Sequence, residues 1–159
     1  MSQKKVLLVD DDLDEVELFR DLLDEIDPSI VYHYAMNGSD ALQQLTSNAI
    51  GVPDIIFLDI NMPVMNGWEC LKRLKRMPAL KDVPVVMYST TDRDIDLQLA
   101  RQLGAANFVT KHDNYTRFRK EIEHVLMIMK TLKKNVLPLP GSLTVQTFSW
   151  WRLIISALR

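Results

Sequence analysis

Asp54-Ile55-Ile56-Phe57-Leu58-Asp59-Ile60-Asn61-Met62-Pro63 is an apolar run that ends abruptly in an acid, with a small polar residue and a proline close behind. Four apolar residues in a row read as a strand buried on both faces. Such a strand delivers the Asp59 carboxylate to the place where the chain leaves the sheet. In an open parallel α/β sheet, that carboxyl end is where ligands bind.

Working outward, the same pattern recurs. Val6-Leu7-Leu8-Val9 is a second apolar run and stops at Asp10-Asp11-Asp12. Residues 30–35 are β-rich, residues 83–88 form a fourth strand with Pro84 tolerated at its beginning, and residues 106–110 form a short fifth. Helical stripes lie between them: Leu13, Val16, Phe19, Leu23 and Ile26; Ala41, Leu42, Leu45 and Ala49; Trp68, Leu71, Leu74 and Met77; Ile95, Leu99 and Leu103; then Tyr115, Phe118, Ile122, Val125, Leu126 and Met129. Asp12 is placed to cap the first helix, and Asp27-Pro28 to end it. Asn37-Gly38 and Asn66-Gly67 read as turns, and Gly104 as a C-terminal cap. Alternating strands and helices predict a parallel sheet covered on both faces.

Hydrophobic residues make up 47% of the 159-residue chain, enough for a core without covalent staples. A single cysteine, Cys70, excludes an intramolecular disulfide and a cysteine metal cluster. All 21 acids precede residue 130, whereas Lys133, Lys134, Arg152 and Arg159 stand in a final stretch without one. An acidic body argues against nucleic acid as partner. No signal peptide and no membrane span are expected. The domain reading is residues 3–130 as the body and 131–159 as an extension, with a linker at Pro138 and Pro140 and an apolar segment containing Trp150, Trp151, Leu153, Ile154 and Leu158.

The candidate chemistry sits at the strand ends: Asp10, Asp11 and Asp12 after the first, Asp59 after the third, Ser89 and two threonines after the fourth, Lys111 after the fifth. If these strands lie side by side, the residues converge. Clustered carboxylates repel unless a cation joins them, and oxygen donors favour Mg²⁺ or Mn²⁺. A carboxylate in that setting can be a nucleophile that forms an acyl phosphate, with charge neutralised by metal and lysine. Singly, acids after a strand are often only helix caps, and Asp12, Asp14 and Glu15 are read so. Complementary chemistry at four strand ends shifts the balance for Asp59 and Lys111. The histidines His33, His112 and His124 are read as structural or exposed, and the basic face Lys72, Arg73, Lys75, Arg76 as solvated.

Over residues 3–130 the chain resembles the receiver domain of two-component response regulators. The resemblance rests on Val6 to Asp11, on Asp54 to Pro63 with Asn66-Gly67, on Val83 to Ser89, and on Gly104-Ala105 with Phe108 to Lys111. It implies a flavodoxin-like (βα)5 fold with strand order 2-1-3-4-5. It also implies that Asp59 accepts a phosphoryl group from a sensor or hybrid histidine kinase. Asp10, Asp11, Asp59 and the Asn61 backbone carbonyl would hold Mg²⁺. Lys111 would contact the phosphoryl group, Ser89 would supply the responding hydroxyl, and Phe108 would be the aromatic switch. The output surface would lie around residues 92–130, and the acidic first helix would be a kinase-docking face. One departure is Lys111-His112, where the family usually has Lys-Pro with a cis bond. A cis bond before a non-proline residue costs ~2.5–4 kcal/mol, against ~0.5–1 before proline; a retained cis bond is the expectation here.

The leading function is a stand-alone, cytoplasmic, single-domain regulator that signals to a downstream protein by phosphorylation-dependent contact, without nucleic acid or membrane. The alternative is an aspartyl-phosphate phosphatase of haloacid dehalogenase type, with Asp10 carrying the phosphoryl group. The extension either packs on its own domain, or forms a homodimer contact, or is weakly selected sequence.

Overall fold

A computed structural model of the chain describes residues 3–91, 93–111 and 114–135. The expected linker, the apolar segment and the Lys111-His112 bond lie outside the described residues. The chain groups into two units, residues 1–124 and 125–159. The first holds a five-stranded sheet, and the described part of the second continues the last helix.

The order is β1 (Lys5–Val9), α1 (Leu13–Ile26), β2 (Val31–Ala35), α2 (Gly38–Thr46), β3 (Ile55–Leu58), α3 (Gly67–Arg76), β4 (Val85–Ser89), α4 (Asp94–Gln102), β5 (Asn107–Thr110) and α5 (Tyr115–Asn135). All pairings are parallel, in the order β2-β1-β3-β4-β5. This is the flavodoxin-like (βα)5 arrangement.

Alternation along each strand divides the core in two. Leu7, Val9, Ile56, Leu58, Val85 and Met87 face one cluster with Ala41, Leu45, Cys70, Leu71 and Leu74 of α2 and α3. The intervening side chains face the other side, where aromatic rings dominate. Phe19 of α1 contacts Phe57 at 4.9 Å and Tyr88 at 5.7 Å, and Tyr88 stacks on Phe118 of α5 at 5.6 Å. Each such ring pair adds about 0.5–1.5 kcal/mol beyond its burial.

Helix starts follow the capping residues. Asp12, Asn37 and Asn66 accept from the N–H groups of Asp14, Asp40 and Glu69. Gly104 after α4 has φ +86°, the left-handed region that a Cβ disfavours.

Four expectations need correction. Ala49, Met77 and Leu103 lie beyond their helices, which end at Thr46, Arg76 and Gln102. Pro84 precedes β4 and serves the sheet only through its carbonyl, which accepts from the Ile56 N–H at 3.0 Å. Gly38 and Gly67 are the first residues of α2 and α3 and not merely turn residues. The α4 stripe is met only in part: Leu103 packs on the core and Leu99 is half-buried, but Ile95 is 64% exposed and the fully buried residues are Asp96 and Ala100. Asp96 can turn inward because Thr91 Oγ1 and Arg93 Nε both donate to its Oδ2 at 2.8 Å. No helix among the described residues is long and apolar enough to cross a membrane.

Candidate functional site

Sheet register decides which strand ends meet. Val9 pairs with Leu58, so Asp10 and Asp59 leave the sheet side by side; the Asp59 N–H donates to Val9 O at 2.9 Å. Ser89 pairs with Thr110, so Lys111 leaves β5 next to Ser89, and its N–H donates to Ser89 O at 2.8 Å. Asp10, Asp59, Ser89 and Lys111 therefore converge at the carboxyl edge of the sheet, as expected for that strand order.

Asp10 and Asp59 are buried and Asp11 is exposed, yet one carboxylate oxygen from each of the three lies within 4.8 Å of the others. Three hard oxygen donors this close suit a small divalent cation with water in its remaining positions. The donor set thus fits a divalent cation of the kind expected from the sequence.

Lys111 Nζ donates to Asp10 Oδ2 at 2.6 Å and lies 3.5 Å from Asp59 Oδ1. Asp10 Oδ1 accepts from the Asp12 N–H, and Asp59 Oδ2 accepts from the Asn61 N–H at 2.9 Å. Burial pushes the Asp59 carboxyl above its ordinary range. Lys111 and the Asn61 and Ile60 N–H groups pull it down, Asp10 pushes it further up, and burial prevails. Burial by itself would lower Lys111, but the hydrogen bond and charge of Asp10, with the charges of Asp59 and Glu15, leave it raised. The lysine is thus committed mainly to Asp10, which leaves Asp59 as the under-compensated carboxylate of the site.

Ser89 is fully buried, and its Oγ has no hydrogen-bond partner among the described residues. A buried, unpartnered hydroxyl is costly unless another state or a ligand satisfies it. Phe108 is half-buried and packs against the α2/α3 side of the core. Outside this constellation, His124 is exposed, and burial with the charge of Lys5 lowers the pKa of His33. The position of His112 is outside the described residues.

Three contributors were not legible in the linear pattern. A Cβ on Gly67 would collide with the Asp59 carbonyl oxygen, so α3 can start against the site only without a side chain there. Glu15 is not simply an acid of the first helical turn: its Oε2 accepts from the Tyr88 hydroxyl at 2.9 Å. Lys111 Nζ lies 4.7 Å from the centre of the Tyr88 ring. The position of Tyr88, one residue before Ser89 at the end of a buried strand, was the only available cue.

A parallel sheet that gathers carboxylates, a buried hydroxyl and a lysine at its carboxyl edge has the donor chemistry to suit an anionic group beside a divalent cation. The chain belongs to the response regulator receiver domain family, whose description it matches over residues 6–123. It is similar in structure to the phosphorylated cyanobacterial phytochrome response regulator RcpA, with TM-score 0.73 and 26% identity over 88% of this chain and 100% of that one. It is also similar to the Mn²⁺-bound form of response regulator Rcp1, with TM-score 0.67 and 27% identity over 87% of this chain and 99% of that one. In sequence it is 37% identical over 116 residues to a protein-glutamate methylesterase/protein-glutamine glutaminase of Desulfotalea psychrophila, covering 73% of this chain and 31% of that protein. The chain spans about a third to a half of the length of the first curated relatives it matches. The haloacid dehalogenase alternative is not favoured: the family match is to the receiver domain, and the Asp10 oxygens are engaged by Lys111 and the Asp12 N–H.

Proposed function

We propose that Asp59 is the phosphoacceptor of this receiver domain, and that the phosphorylated chain signals by contact with a downstream protein. The observation that carries this reading is a buried carboxylate whose nearest lysine is committed to a neighbour. A carboxylate oxygen of Asp59 attacks the phosphorus of a phosphohistidine on a sensor or hybrid histidine kinase. The P–N bond breaks, an acyl phosphate forms, and the leaving imidazole takes up a proton. Asp10, Asp11, Asp59 and the Asn61 backbone carbonyl would hold Mg²⁺, which when bound supplies charge neutralisation for the phosphoryl oxygens. Lys111 moves from Asp10 to a phosphoryl oxygen, and the unpartnered Ser89 hydroxyl turns to donate to another. Phe108 follows into the space that Ser89 leaves. The phosphoryl group favours that second arrangement only by its extra contacts there.

The chain acts in the cytoplasm, and its only chemistry is its own Mg²⁺-dependent phosphorylation and dephosphorylation. Its body is residues 3–130, with 131–159 an appendage; truncation at Lys134 that leaves the number of protomers by light scattering unchanged would dismiss that appendage as a dimer contact.

The direct test is incubation of the whole protein with a small acyl phosphate and Mg²⁺, followed by mass spectrometry. Wild type should gain one phosphoryl group, and Asp59→Asn should gain none. Labelling of Asp59→Asn equal to wild type would overturn the assignment, and loss of label only in Asp10→Asn would restore the phosphatase reading.

A further inference from the structure

We infer that Tyr88 and Glu15 form a platform that aims Lys111, with the Tyr88 ring beneath the ammonium and the Glu15 carboxylate fixing that ring through its hydroxyl. The inference rests on the proposed role of Lys111 at the phosphoryl group and adds two positioning residues to it.

A lysine side chain has several free torsions and carries a point charge, so an ion pair with one carboxylate does not fix its direction. Lys111 Nζ has a further constraint here. It lies 4.7 Å from the centre of the Tyr88 ring, within the ~6 Å range of a cation–π contact. The ring itself cannot drift. It stacks on Phe118 at 5.6 Å with 20° between planes and meets the edge of Phe19 at 5.7 Å. Its hydroxyl donates to Glu15 Oε2 at 2.9 Å, across 73 residues of sequence. Tyr88 is 1% exposed, so its stacking is shielded from water, and its hydrogen bond to the half-buried Glu15 is partly so. Glu15 is half-buried in the first turn of α1, where Asp12 already caps the helix, so its carboxylate is not needed as the cap. A connected path therefore runs from α1 through β4 to the lysine at the end of β5.

The role is positional, since neither residue is placed to touch the phosphoryl group. The ring would hold Nζ between Asp10 and Asp59, from where a short movement reaches an oxygen arriving on Asp59. A ring without its hydroxyl would keep the attraction but lose the tether. An aliphatic side chain would lose both.

The experiment compares labelling rates of the full chain by a small acyl phosphate with Mg²⁺. Tyr88→Leu should slow labelling about tenfold and Tyr88→Phe about threefold, in keeping with a partly desolvated cation–π contact. Glu15→Ala should resemble Tyr88→Phe, and Glu15→Gln, which keeps an acceptor, should recover most of the rate. In a Lys111→Ala background these changes should have no further effect, because they act through the lysine. Equal slowing in both backgrounds would overturn the inference and reduce Tyr88 to a packing residue. Should Tyr88→Leu fail to fold, the Tyr88→Phe and Glu15 variants carry the same comparison.

A second readout needs no phosphorylation. In NMR spectra of the unmodified protein, the ε-methylene protons of Lys111 should show an upfield ring-current shift. Tyr88→Phe should retain it and Tyr88→Leu should lose it; an ordinary shift in wild type would refute the platform. Labelling of Asp59→Asn would overturn the phosphoacceptor reading alone and leave this second measurement decisive for Tyr88.

Discussion

Burial of the under-compensated Asp59 carboxylate comes at a cost to the resting fold. Burial raises its pKa above the unfolded value of 3.8, so the folded protein binds that proton more tightly than the unfolded chain. Stability then falls as pH rises from the unfolded value through the folded one, and the loss is complete above it. Asp59→Asn removes this dependence. Without metal, its urea midpoint at pH 7 should exceed that of wild type, with the gap closing as pH falls towards the unfolded value. A midpoint at or below wild type at pH 7 would contradict the electrostatic account. At this scale the sequence was informative for Asp59, Asp10, Asp11, Ser89 and Lys111, because each stands at or just past the end of a strand-like run. It was uninformative for Glu15 and Tyr88, whose meeting depends on how a helix crosses the sheet and not on any local pattern.

Elements carry the site by where they stop and start. β3 and α3 are bound by the loop of residues 59–66, and the close approach at Gly67 sets how near α3 begins to Asp59. Its N–H donates to Ile60 O at 2.9 Å, and an added Cβ would strike backbone, which cannot swing aside. Gly67→Ala should therefore cost about 1–3 kcal/mol, the usual range for overpacking, and slow acyl phosphate labelling as the loop shifts. Wild-type stability and labelling in that variant would show that the loop yields freely. The strands were readable from their apolar runs and α1 from its periodicity and cap. α4 was misread because a charged residue, Asp96, lies on its buried side with Thr91 and Arg93 as partners, while Ile95 faces water. Hydrophobic spacing cannot register a carboxylate that is made burial-tolerant by its neighbours.

For the whole molecule, the periodicities supplied a parallel sheet, but not which strands adjoin. Several orders are compatible with alternating strands and helices, and only resemblance to the receiver family selected β2-β1-β3-β4-β5. That order is what turns four separate strand ends into one site. The same packing encloses the chain's sole cysteine. Cys70 is fully buried on α3, with its Sγ 3.9 Å from Gly38 O, and burial pushes its thiol up to about 12, with Arg73 opposing and Glu69 reinforcing. Alkylation requires both exposure and a thiolate, so in the native state it should run on the order of a thousandfold or more slower than in urea. A native rate equal to that of the unfolded chain would contradict this burial. Cys70 thus gives the molecule an internal clock: with one thiol there is one signal, and each alkylated chain records a moment at which α3 came away from the sheet.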